Sequence, residues 1–190
     1  YPINNPFVKS PVVIHWINTS NKCKIFNGGI DITSLATNNS GGYIYESSTT
    51  LLLADGIYQL YVISYENTQN IPSDPSNSIT FKVDNTTPTG SGIHINNSGD
   101  QYTNNPIVTI HLNGFSDSGS GIRAISFNYN DPDPIWNNIN FATMTVPYAI
   151  LTGNGETKIT AWVCDNVGNV SAPFECTITL DTVPPGNPNT

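Results

Sequence analysis

The sequence predicts an all-β protein built from two tandem antiparallel β-sandwich domains. It is rich in Thr, Ile, Val and Tyr, which favour strands, while 26 Asn residues and abundant Gly and Pro favour the turns between them. Apolar residues alternate along short runs, and turn residues interrupt the runs about every eight to twelve positions, a spacing typical of sandwiches. With 190 residues, the chain is long enough for two domains of about 100 residues each.

An internal repeat indicates that the two domains are of the same kind. Residues 55–67 read DGIYQLYVISYEN, and residues 154–166 read NGETKITAWVCDN. Each stretch begins with a tight turn and continues as an alternating strand, after which a polar loop leads to a second strand. In this register Leu60 matches Ile159, and both belong to the apolar face of their strand.

The two halves also end in the same way, which predicts the domain boundary. Asp84 and Asp181 each close a strand and are followed within four residues by Pro, and 97 residues separate them. That distance suits one sandwich domain rather than a short solenoid repeat. We expect one domain at residues 1–87 and the other at residues 88–190, joined by a short linker that Pro88 stiffens.

The individual strands follow from apolar residues at every second position, which place one face of each strand inward. Asn27-Gly28-Gly29 separates two such runs and predicts a hairpin turn, because Gly adopts positive φ without strain. No segment shows a sustained period of 3.6 residues, so we expect no long helix. The predicted inward faces of the first half are Val12, Ile14 and Trp16; Leu60, Val62 and Ser64; and Ile79, Phe81 and Val83. Those of the second half are Val108, Ile110 and Leu112; Ile125, Phe127 and Tyr129; and Ile178 and Leu180.

The charge balance argues against a nucleic-acid partner. The chain has 14 acidic and six basic residues, a net charge of −8, and its single Arg is Arg123. A phosphate backbone requires clustered cations, which this sequence lacks. No apolar run reaches the roughly 20 residues that span a bilayer. Because there is no initiating Met and no signal peptide, we interpret the sequence as a processed chain or a fragment.

Three cysteines, Cys23, Cys164 and Cys176, suit an oxidising extracellular location, with one bridge and one further thiol. Cys164 and Cys176 flank a hairpin loop of eleven residues, so we predict a disulfide between them. Cys164 alternates out of phase with the inward residues of its strand, and the bridge therefore requires a bulge before Asp165. The state of Cys23 stays open.

Five sequons offer sites for N-glycosylation. They begin at Asn18, Asn38, Asn85, Asn96 and Asn169. In a chain so rich in Asn, Ser and Thr, several sequons arise by chance, so they permit glycosylation without requiring it.

The sequence contains no catalytic motif: no metalloprotease helix, no Gly-rich phosphate loop and no cysteine pair at zinc spacing. It therefore predicts a non-enzymatic protein. His94 and His111 fall between inward-facing residues, so both point outward, where adjacent strands would allow them to share a metal ion. The more common alternative for surface histidines is plain solvation.

Three short motifs mark the second half: Tyr-Thr-Asn at 102–104, Asp-Ser-Gly-Ser-Gly at 117–121 and Asp-Asn-Val-Gly-Asn at 165–169. With their surroundings, they resemble the bacterial immunoglobulin-like repeats, fibronectin type III-like modules of prokaryotic extracellular surface proteins and adhesins. The resemblance covers residues 89–185. It implies an immunoglobulin-like sandwich at the cell surface, whose partners are neighbouring domains of the same kind or copies of the chain itself.

The first half resembles the same family more loosely, in a fibronectin type III-like form. Residues 65–84 stand where the family has its Asp-x-x-Gly-Asn loop and final strand. Glu66 replaces the Asp and Gln69 replaces the Gly, so any function of that loop is not expected in the first domain.

Calcium is the one cofactor that the loops suggest. Asp117, Asp165 and Asn169 lie in the loops of the second domain, and Ca²⁺ accepts carboxylate and amide oxygens at flexible geometry. The resemblance points the same way, because some relatives use such ions to stiffen joints between domains. The alternative is that these side chains cap turns by hydrogen-bonding their own backbone, and the low density of carboxylates favours it.

Three functions fit these features. The first, which we favour, is a non-enzymatic structural or adhesive rod module, a spacer or stalk repeat of a cell-surface protein. The second is a subunit of an extracellular filament, whose N-terminal arm with Phe7 and Val8 docks on an edge strand of the next copy. The alternative for this arm is that it forms the first edge strand of its own domain.

The third function is a carbohydrate-binding accessory module that binds cell-surface glycans. Exposed aromatic rings stack on sugar rings, although aromatic residues on strands more often pack against their neighbours. The candidates are Tyr43, Tyr45, Tyr58, Tyr61, Tyr65, Trp136 and Trp162.

Overall fold

The computed structural model shows an all-β chain, which confirms the predicted fold class. It describes residues 7–17, 22–97, 99–128, 130–149 and 153–186. Within them the helix content is a single 3-10 turn at Thr33–Leu35, and a membrane-spanning helix is absent from these residues. The chain divides into two compact units, Tyr1–Thr86 (unit 1) and Thr87–Thr190 (unit 2).

Unit 1 is a sandwich of two sheets. Its strands are β1 (Phe7–Val8), β2 (Val12–His15), β3 (Lys22–Asn27), β4 (Ile30–Asp31), β5 (Ser48–Leu51), β6 (Gly56–Tyr65) and β7 (Ile79–Val83). The larger sheet has the order β1-β7-β6-β3-β4, and β2 pairs with β5 in the smaller sheet. β1 runs parallel to β7, whereas the other pairs are antiparallel.

Unit 2 repeats this arrangement with one more strand. Its strands are β8 (Gly92–Ile95), β9 (Tyr102–Thr103), β10 (Ile107–Asn113), β11 (Ile122–Ser126), β12 (Asn137–Asn138), β13 (Thr145–Ala149), β14 (Gly155–Asp165) and β15 (Phe174–Leu180). The larger sheet has the order β12-β11-β14-β15-β9, in which β9 runs parallel to β15. The smaller sheet has the order β13-β10-β8. Among its described residues, unit 1 has no strand in the place that β8 takes beside β10.

The inward faces predicted from alternation form the two cores. Val108, Ile110 and Leu112 are 2%, 0% and 6% exposed, and the outward residues between them are half-buried. Each unit has a separate cluster of buried apolar side chains, so each sandwich has its own core. The residues buried as predicted are Val12, Ile14, Leu60, Phe81, Val83, Ile125, Ile178 and Leu180, while Trp16, Val62, Ser64, Ile79 and Phe127 are half-buried. Tyr129 lies outside the described residues.

The hairpin predicted at Asn27-Gly28-Gly29 joins β3 to β4. Asn27 pairs with Ile30, so Gly28 and Gly29 form the two-residue loop. Their φ angles are +54° and +93°, in the left-handed region that side chains rarely adopt. A two-residue loop of this kind matches the right-handed twist of the strands that it connects.

Candidate functional site

The Asp165 loop of unit 2 is organised around one carboxylate. Asp165 ends β14 and is fully buried. One of its oxygens accepts the backbone N–H groups of Val167, Gly168 and Asn169, at 3.0, 2.6 and 2.8 Å. The other oxygen accepts the side-chain amide of Asn169 at 2.7 Å. These bonds replace the water that a buried carboxylate loses, so the loop forms a closed cap.

The loop before β11 is held to the Asp165 loop. A carboxylate oxygen of Asp117 accepts the N–H of Gly121 at 2.7 Å. The side-chain amide of Asn166 donates to the carbonyls of Ser120 and Gly121, at 2.8 and 2.9 Å. A carboxylate oxygen of Asp117 also lies within 4.8 Å of one of Asp165. The structure thus brings together the loops that the sequence analysis singled out.

This geometry matches the turn-capping alternative for these residues. The oxygens of Asp165 already face N–H donors, and Asn169 turns its amide N–H toward Asp165. A calcium ion requires oxygen ligands, and an N–H group in that position repels it. Calcium binding by Asp117, Asp165 and Asn169 therefore stays a prediction.

The corresponding loop of unit 1 has a weaker, exposed version of the cap. Glu66, which replaces Asp165 in the repeat, accepts the hydroxyl of Thr68 and the backbone N–H groups of Thr68 and Gln69. These bonds hold the pKa of Glu66 below its usual range, and the bond from the Thr68 hydroxyl contributes most. The Glu66 loop thus differs from the Asp165 loop in that the hydrogen bonds to its carboxylate lie at the surface.

The predicted disulfide between Cys164 and Cys176 is wrong. All three cysteines are thiols, and the strand register explains why these two do not pair. Cys176 on β15 lies opposite Ile159, five residues before Cys164 along β14. At about 3.3 Å per residue this separates the two Cα atoms by roughly 16 Å, whereas a disulfide requires less than about 7 Å.

Each thiol has its own surroundings. The sulfur of Cys164 accepts a hydrogen bond from the Arg123 guanidinium at 3.4 Å. The sulfur of Cys23 lies 3.5 Å from the Ser64 hydroxyl oxygen. Burial raises the pKa of Cys164, although Arg123 opposes the shift. Burial raises the pKa of Cys176 to about 11. Both thiols are therefore protonated at neutral pH, a state of low nucleophilicity.

Glycosylation of Asn169 is also contradicted by the structure. Asn169 is 1% exposed, and its side-chain nitrogen, the atom that would carry a glycan, donates to Asp165. A bulky polar glycan requires a surface position, which this buried cap does not provide.

The other sequons differ in exposure. Asn18 lies outside the described residues. Asn38 is half-buried, and its amide donates to Glu46 at 2.9 Å, whereas Asn85 is exposed and Asn96 half-buried. Glycosylation at Asn38, Asn85 and Asn96 stays a prediction; Asn85 is the exposed residue of the three, and its side-chain amide donates to the Leu53 carbonyl at 3.0 Å.

Phe7 and Val8 of the N-terminal arm pair within unit 1 instead of facing a neighbouring molecule. The predicted docking of this arm on the next copy in a filament is therefore wrong. Phe7 pairs with Lys82 and Val8 with Val83, and the Val8 carbonyl accepts the Asp84 N–H at 2.9 Å. Val8 also packs against the core of unit 1. The alternative, an edge strand within its own sheet, is the arrangement observed, because the free edge of β7 lies within reach of the arm.

His94 and His111 lie on adjacent strands, the arrangement that sharing a metal ion would require. They pair directly between β8 and β10, and their rings stack at 4.7 Å with an interplanar angle of 5°. Burial and the neighbouring His94 lower the pKa of His111. Asn113 contacts the His94 ring at 2.8 Å. No third His, Cys or carboxylate joins the pair among the described residues, so the arrangement offers two ligands for a metal.

The outer face of the larger sheet of unit 1 gathers aromatic rings and lysines. Phe26 and Tyr61 stack at 5.4 Å with an interplanar angle of 7°, and Tyr43 meets Tyr65 edge to face at 5.5 Å. We call this surface the aromatic face; it consists of Phe26, Tyr43, Tyr61 and Tyr65 together with Lys22 and Lys24.

Two cations cover the ring of Tyr43 on this face. The ammonium groups of Lys22 and Lys24 lie 4.4 and 5.0 Å from the ring centroid. Lys24 also forms a 2.8 Å ion pair with Asp31, and this hydrogen bond raises its pKa. The desolvation of Asp31 is outweighed by hydrogen bonds from Lys24 and Thr33, so its pKa is lowered.

The remaining aromatic candidates lie elsewhere. Tyr58 stacks on Phe81 at 5.9 Å and packs against the core of unit 1, so it is not a surface platform. Tyr45 is 57% exposed, whereas Trp136 and Trp162 are half-buried.

Serine side chains extend the pairing of β6 and β14 beyond their partner strands, a feature that the sequence analysis missed. In unit 2, Ser171 donates its N–H to the Val163 carbonyl at 2.9 Å, and its hydroxyl accepts the Val163 N–H at 3.0 Å. In unit 1, Ser76 makes the same pair of bonds with Val62, both at 2.9 Å. Ser73 repeats the pattern with Ser64. The only sequence signal for this bonding is a serine close to a polar turn. Such serines are too common to predict it.

A cleft of about 390 Å³ opens between the end of β2 and the neighbouring β6 and β7 in unit 1. The core residues Ile25 and Leu60, which are 0% and 2% exposed, form part of its lining. The residues that end β2 and follow it form one wall, and the segment with Ser73 and Ser76 contributes to the opposite wall. No pattern in the sequence indicated this cleft.

Several solved structures are similar to this chain at low sequence identity. The fibronectin(III)-like modules of Clostridium thermocellum CbhA match at 16% identity and a TM-score of 0.48, over 94% of this chain and 90% of theirs. The glucan-utilization protein SGBP-B of Bacteroides ovatus, in complex with a mixed-linkage heptasaccharide, matches at 15% identity and a TM-score of 0.28, over 97% of this chain. The FN1–FN3 domains of chicken CNTN1 match at 11% identity and a TM-score of 0.30, over 91% of this chain.

The chain spans 50% of the SGBP-B structure and 62% of the CNTN1 structure. No protein-family model and no curated protein sequence matches it. At these identities and TM-scores the likenesses carry no information about a ligand or an activity.

Proposed function

We propose that this chain is a non-enzymatic structural module of an extracellular cell-surface protein, a spacer or stalk repeat that transmits tension. One observation carries the proposal: in both units a strand near the N-terminal end pairs in parallel with the last strand. β1 lies beside β7, and β9 lies beside β15.

Parallel pairing decides how a unit responds to a pull on its ends. The Val8 carbonyl accepts the Asp84 N–H, and the Thr103 carbonyl accepts the Asp181 N–H, both at 2.9 Å. Because the paired strands point the same way and the chain leaves them at opposite ends, a pull slides one strand along the other. The hydrogen bonds between them are then loaded together, whereas an antiparallel hairpin opens one bond at a time. This arrangement favours a load-bearing role.

Single-molecule force spectroscopy tests this role, because the unfolding force reports the rate of unfolding under load. We expect Val8→Pro to lower the unfolding force of unit 1 and leave that of unit 2 unchanged, and Thr103→Pro to do the reverse. Val8 pairs with Val83 and Thr103 with Leu180 in the parallel ladders, and Pro keeps its carbonyl but removes its own backbone N–H from the ladder. Ser171→Ala is the control, because it destabilises unit 2 away from the parallel pair. If both Pro variants unfold at the wild-type force, the load-bearing role is excluded.

A second candidate function, glycan binding, is favoured by the aromatic face. Its rings supply apolar platforms on which sugar rings stack. In a chain of net charge −8, three of the six cations, Lys22, Lys24 and Lys82, lie on the outer face of this one sheet, which favours acidic sugars. We therefore propose an acidic polysaccharide as the ligand class for this face.

Affinity electrophoresis with acidic and neutral polysaccharides tests the glycan proposal. Tyr61→Ala and Tyr65→Ala are expected to abolish retardation by an acidic polysaccharide. The matched control is Tyr102→Ala, which removes a Tyr that is 70% exposed in unit 2. Equal migration of the wild-type protein with and without polysaccharide would remove this candidate.

A further inference from the structure

We propose that His94 and His111 form a binding site for a divalent transition-metal ion that prefers imidazole ligands, such as Zn²⁺, on the outer face of the smaller sheet of unit 2. The ion bridges β8 and β10 through one ring nitrogen of each histidine, and water completes its coordination. This inference does not depend on the load-bearing role.

The pairing of two strands places the histidines together. His94 on β8 lies directly opposite His111 on β10 in an antiparallel ladder. Residues in this position have Cβ atoms about 4.5–5.5 Å apart and project from the same face of the sheet. The alternate residues Ile93, Ile95 and Leu112 are buried in the core, which holds both imidazoles on the outer face. Two ligands held side by side bind an ion more tightly than separate ones, because the second ligand is present at a high effective concentration.

The two rings face each other closely enough to share one ion. Their centroids lie 4.7 Å apart, and their planes differ by 5°. Zn²⁺ binds imidazole nitrogens at about 2.0–2.1 Å, so two nitrogens on one tetrahedral ion lie roughly 3.3 Å apart. Rotation about χ2, which is a broad torsion in histidine, tilts the facing rings so that their Nε2 atoms converge to that separation.

Asn113 supplies an outer partner for one of the two ligands. Its side-chain amide lies 2.8 Å from Nδ1 of His94. A metal-binding histidine commonly uses its second ring nitrogen for such a hydrogen bond, which fixes the orientation of the ring and selects its tautomer. When the amide turns its oxygen toward Nδ1, that nitrogen carries the proton, and Nε2 keeps the lone pair that binds the metal.

The surroundings of the pair favour a cation and select its class. The sequences of β8, β10 and β13 contain no Lys or Arg, and the residue opposite His111 on β13 is the neutral Thr145. The chain as a whole has a net charge of −8, which attracts cations. Among the described residues no carboxylate joins the pair. Two imidazoles without a carboxylate suit a transition metal, whereas Ca²⁺ requires oxygen ligands.

Isothermal titration calorimetry of the 190-residue protein with ZnCl₂ tests the site. We expect His94→Ala and His111→Ala each to weaken Zn²⁺ binding by about tenfold or more, because each leaves a single imidazole. His15→Ala is the matched control and is expected to keep the wild-type affinity, since His15 is exposed on β2 and lies opposite Ser48. Absence of Zn²⁺ binding to the wild-type protein, or wild-type affinity in either pair variant, overturns the proposal.

NMR of the imidazole nitrogens locates the ion in the wild-type protein, so that the test does not depend on a variant that folds. We expect Zn²⁺ to shift the Nε2 resonances of His94 and His111 together and to leave those of His15 unchanged. A shift confined to one ring of the pair, or equal shifts in all three histidines, overturns the shared site.

The role of Asn113 has its own test. Asn113→Ala removes the partner of the His94 Nδ1 atom and is expected to weaken Zn²⁺ binding by about tenfold. In this variant we also expect the two Nε2 resonances still to shift together at saturating Zn²⁺, because both ligands remain. An unchanged affinity would exclude the positioning role of the amide.

Discussion

At the residue scale, the Asp165 carboxylate has the clearest structural role. It is fully buried, and four N–H groups from three residues surround its two oxygens. These hydrogen bonds replace the hydration that burial removes from the carboxylate. Because the donors belong to one loop, they fix the path of the chain after β14. Glu66 occupies the corresponding position in unit 1 and has its donors at the surface.

We expect Asp165→Ala to lower the free energy of unfolding of unit 2 by about 2 kcal/mol or more, because the buried N–H groups lose their acceptor. Glu66→Ala is the control and is expected to have a smaller effect, since water replaces the lost carboxylate. Chemical denaturation measures both. A larger loss for Glu66→Ala would show that burial does not set the difference.

The same proteins test the calcium prediction. If Asp117 and Asp165 bind calcium, EDTA lowers the melting temperature of the wild-type protein and leaves that of Asp165→Ala unchanged. If hydrogen bonds alone hold the loops, EDTA changes neither. Differential scanning calorimetry with and without added CaCl₂ distinguishes the two.

The thiol of Cys176 predicts a loss of stability at alkaline pH. Burial raises its pKa from the ordinary value of 9.0 to about 11. Below pH 9 the thiol is protonated in both the folded and the unfolded state, so its contribution is fully present. As the pH rises from 9 to about 11 the unfolded state loses its proton first, and the contribution is lost. Cys176→Ala is expected to show a shallower decline in this range, measured by urea denaturation; an identical decline would contradict the shift.

At the element scale, serine residues supply hydrogen bonds to strands that extend beyond their partner strands. β14 continues to Asp165, and its pairing with β15 ends at Ala161 opposite Phe174. Beyond that point Ser171 satisfies both backbone groups of Val163, with its own N–H and its hydroxyl. The chain thereby covers an edge that would otherwise be open to other strands.

We expect Ser171→Ala to cost about 1–3 kcal/mol, because it leaves the buried Val163 N–H without its acceptor. Ser76→Ala is the matched control. It removes the same kind of bond, to Val62, at an exposed position, so we expect a cost below about 0.5 kcal/mol. Equal losses in urea denaturation would mean that solvent access at these edges does not matter.

At the scale of the whole molecule, two separate cores suggest two folding units of unequal strength. Within the described part of unit 1, the smaller sheet has two strands, and the cleft beside it reaches Ile25 and Leu60. The smaller sheet of unit 2 has three strands, and β8 closes the corresponding position. A two-stranded sheet with an unfilled cleft buries less apolar surface, so unit 1 is expected to be the less stable unit.

This difference is testable on the two halves as separate proteins. We expect residues 87–190 and residues 1–86 each to unfold cooperatively, with the second melting at the lower temperature. Calorimetry measures both transitions. A higher melting temperature for residues 1–86 would contradict the inferred difference.

The fold class, the inward faces and the β3–β4 turn were predictable from the amino-acid sequence. Alternation is a local property, because successive side chains of a strand point to opposite sides whatever the strand's partners are. The faces of Val108, Ile110 and Leu112 were therefore readable without any structure. The turn at Gly28 and Gly29 was readable for the same reason, since positive φ is a demand of the turn itself.

The contacts between residues on different strands were not predictable from the sequence and depend on the folded sandwich. Register placed Cys176 opposite Ile159 and so excluded the bridge to Cys164, and it buried Asn169 against Asp165. The open cleft beside β2 likewise appears only when the smaller sheets of the two units are compared. Such features depend on how distant strands slide and pack to fill one core. That choice is made by the whole sandwich at once, and no short window of sequence contains it.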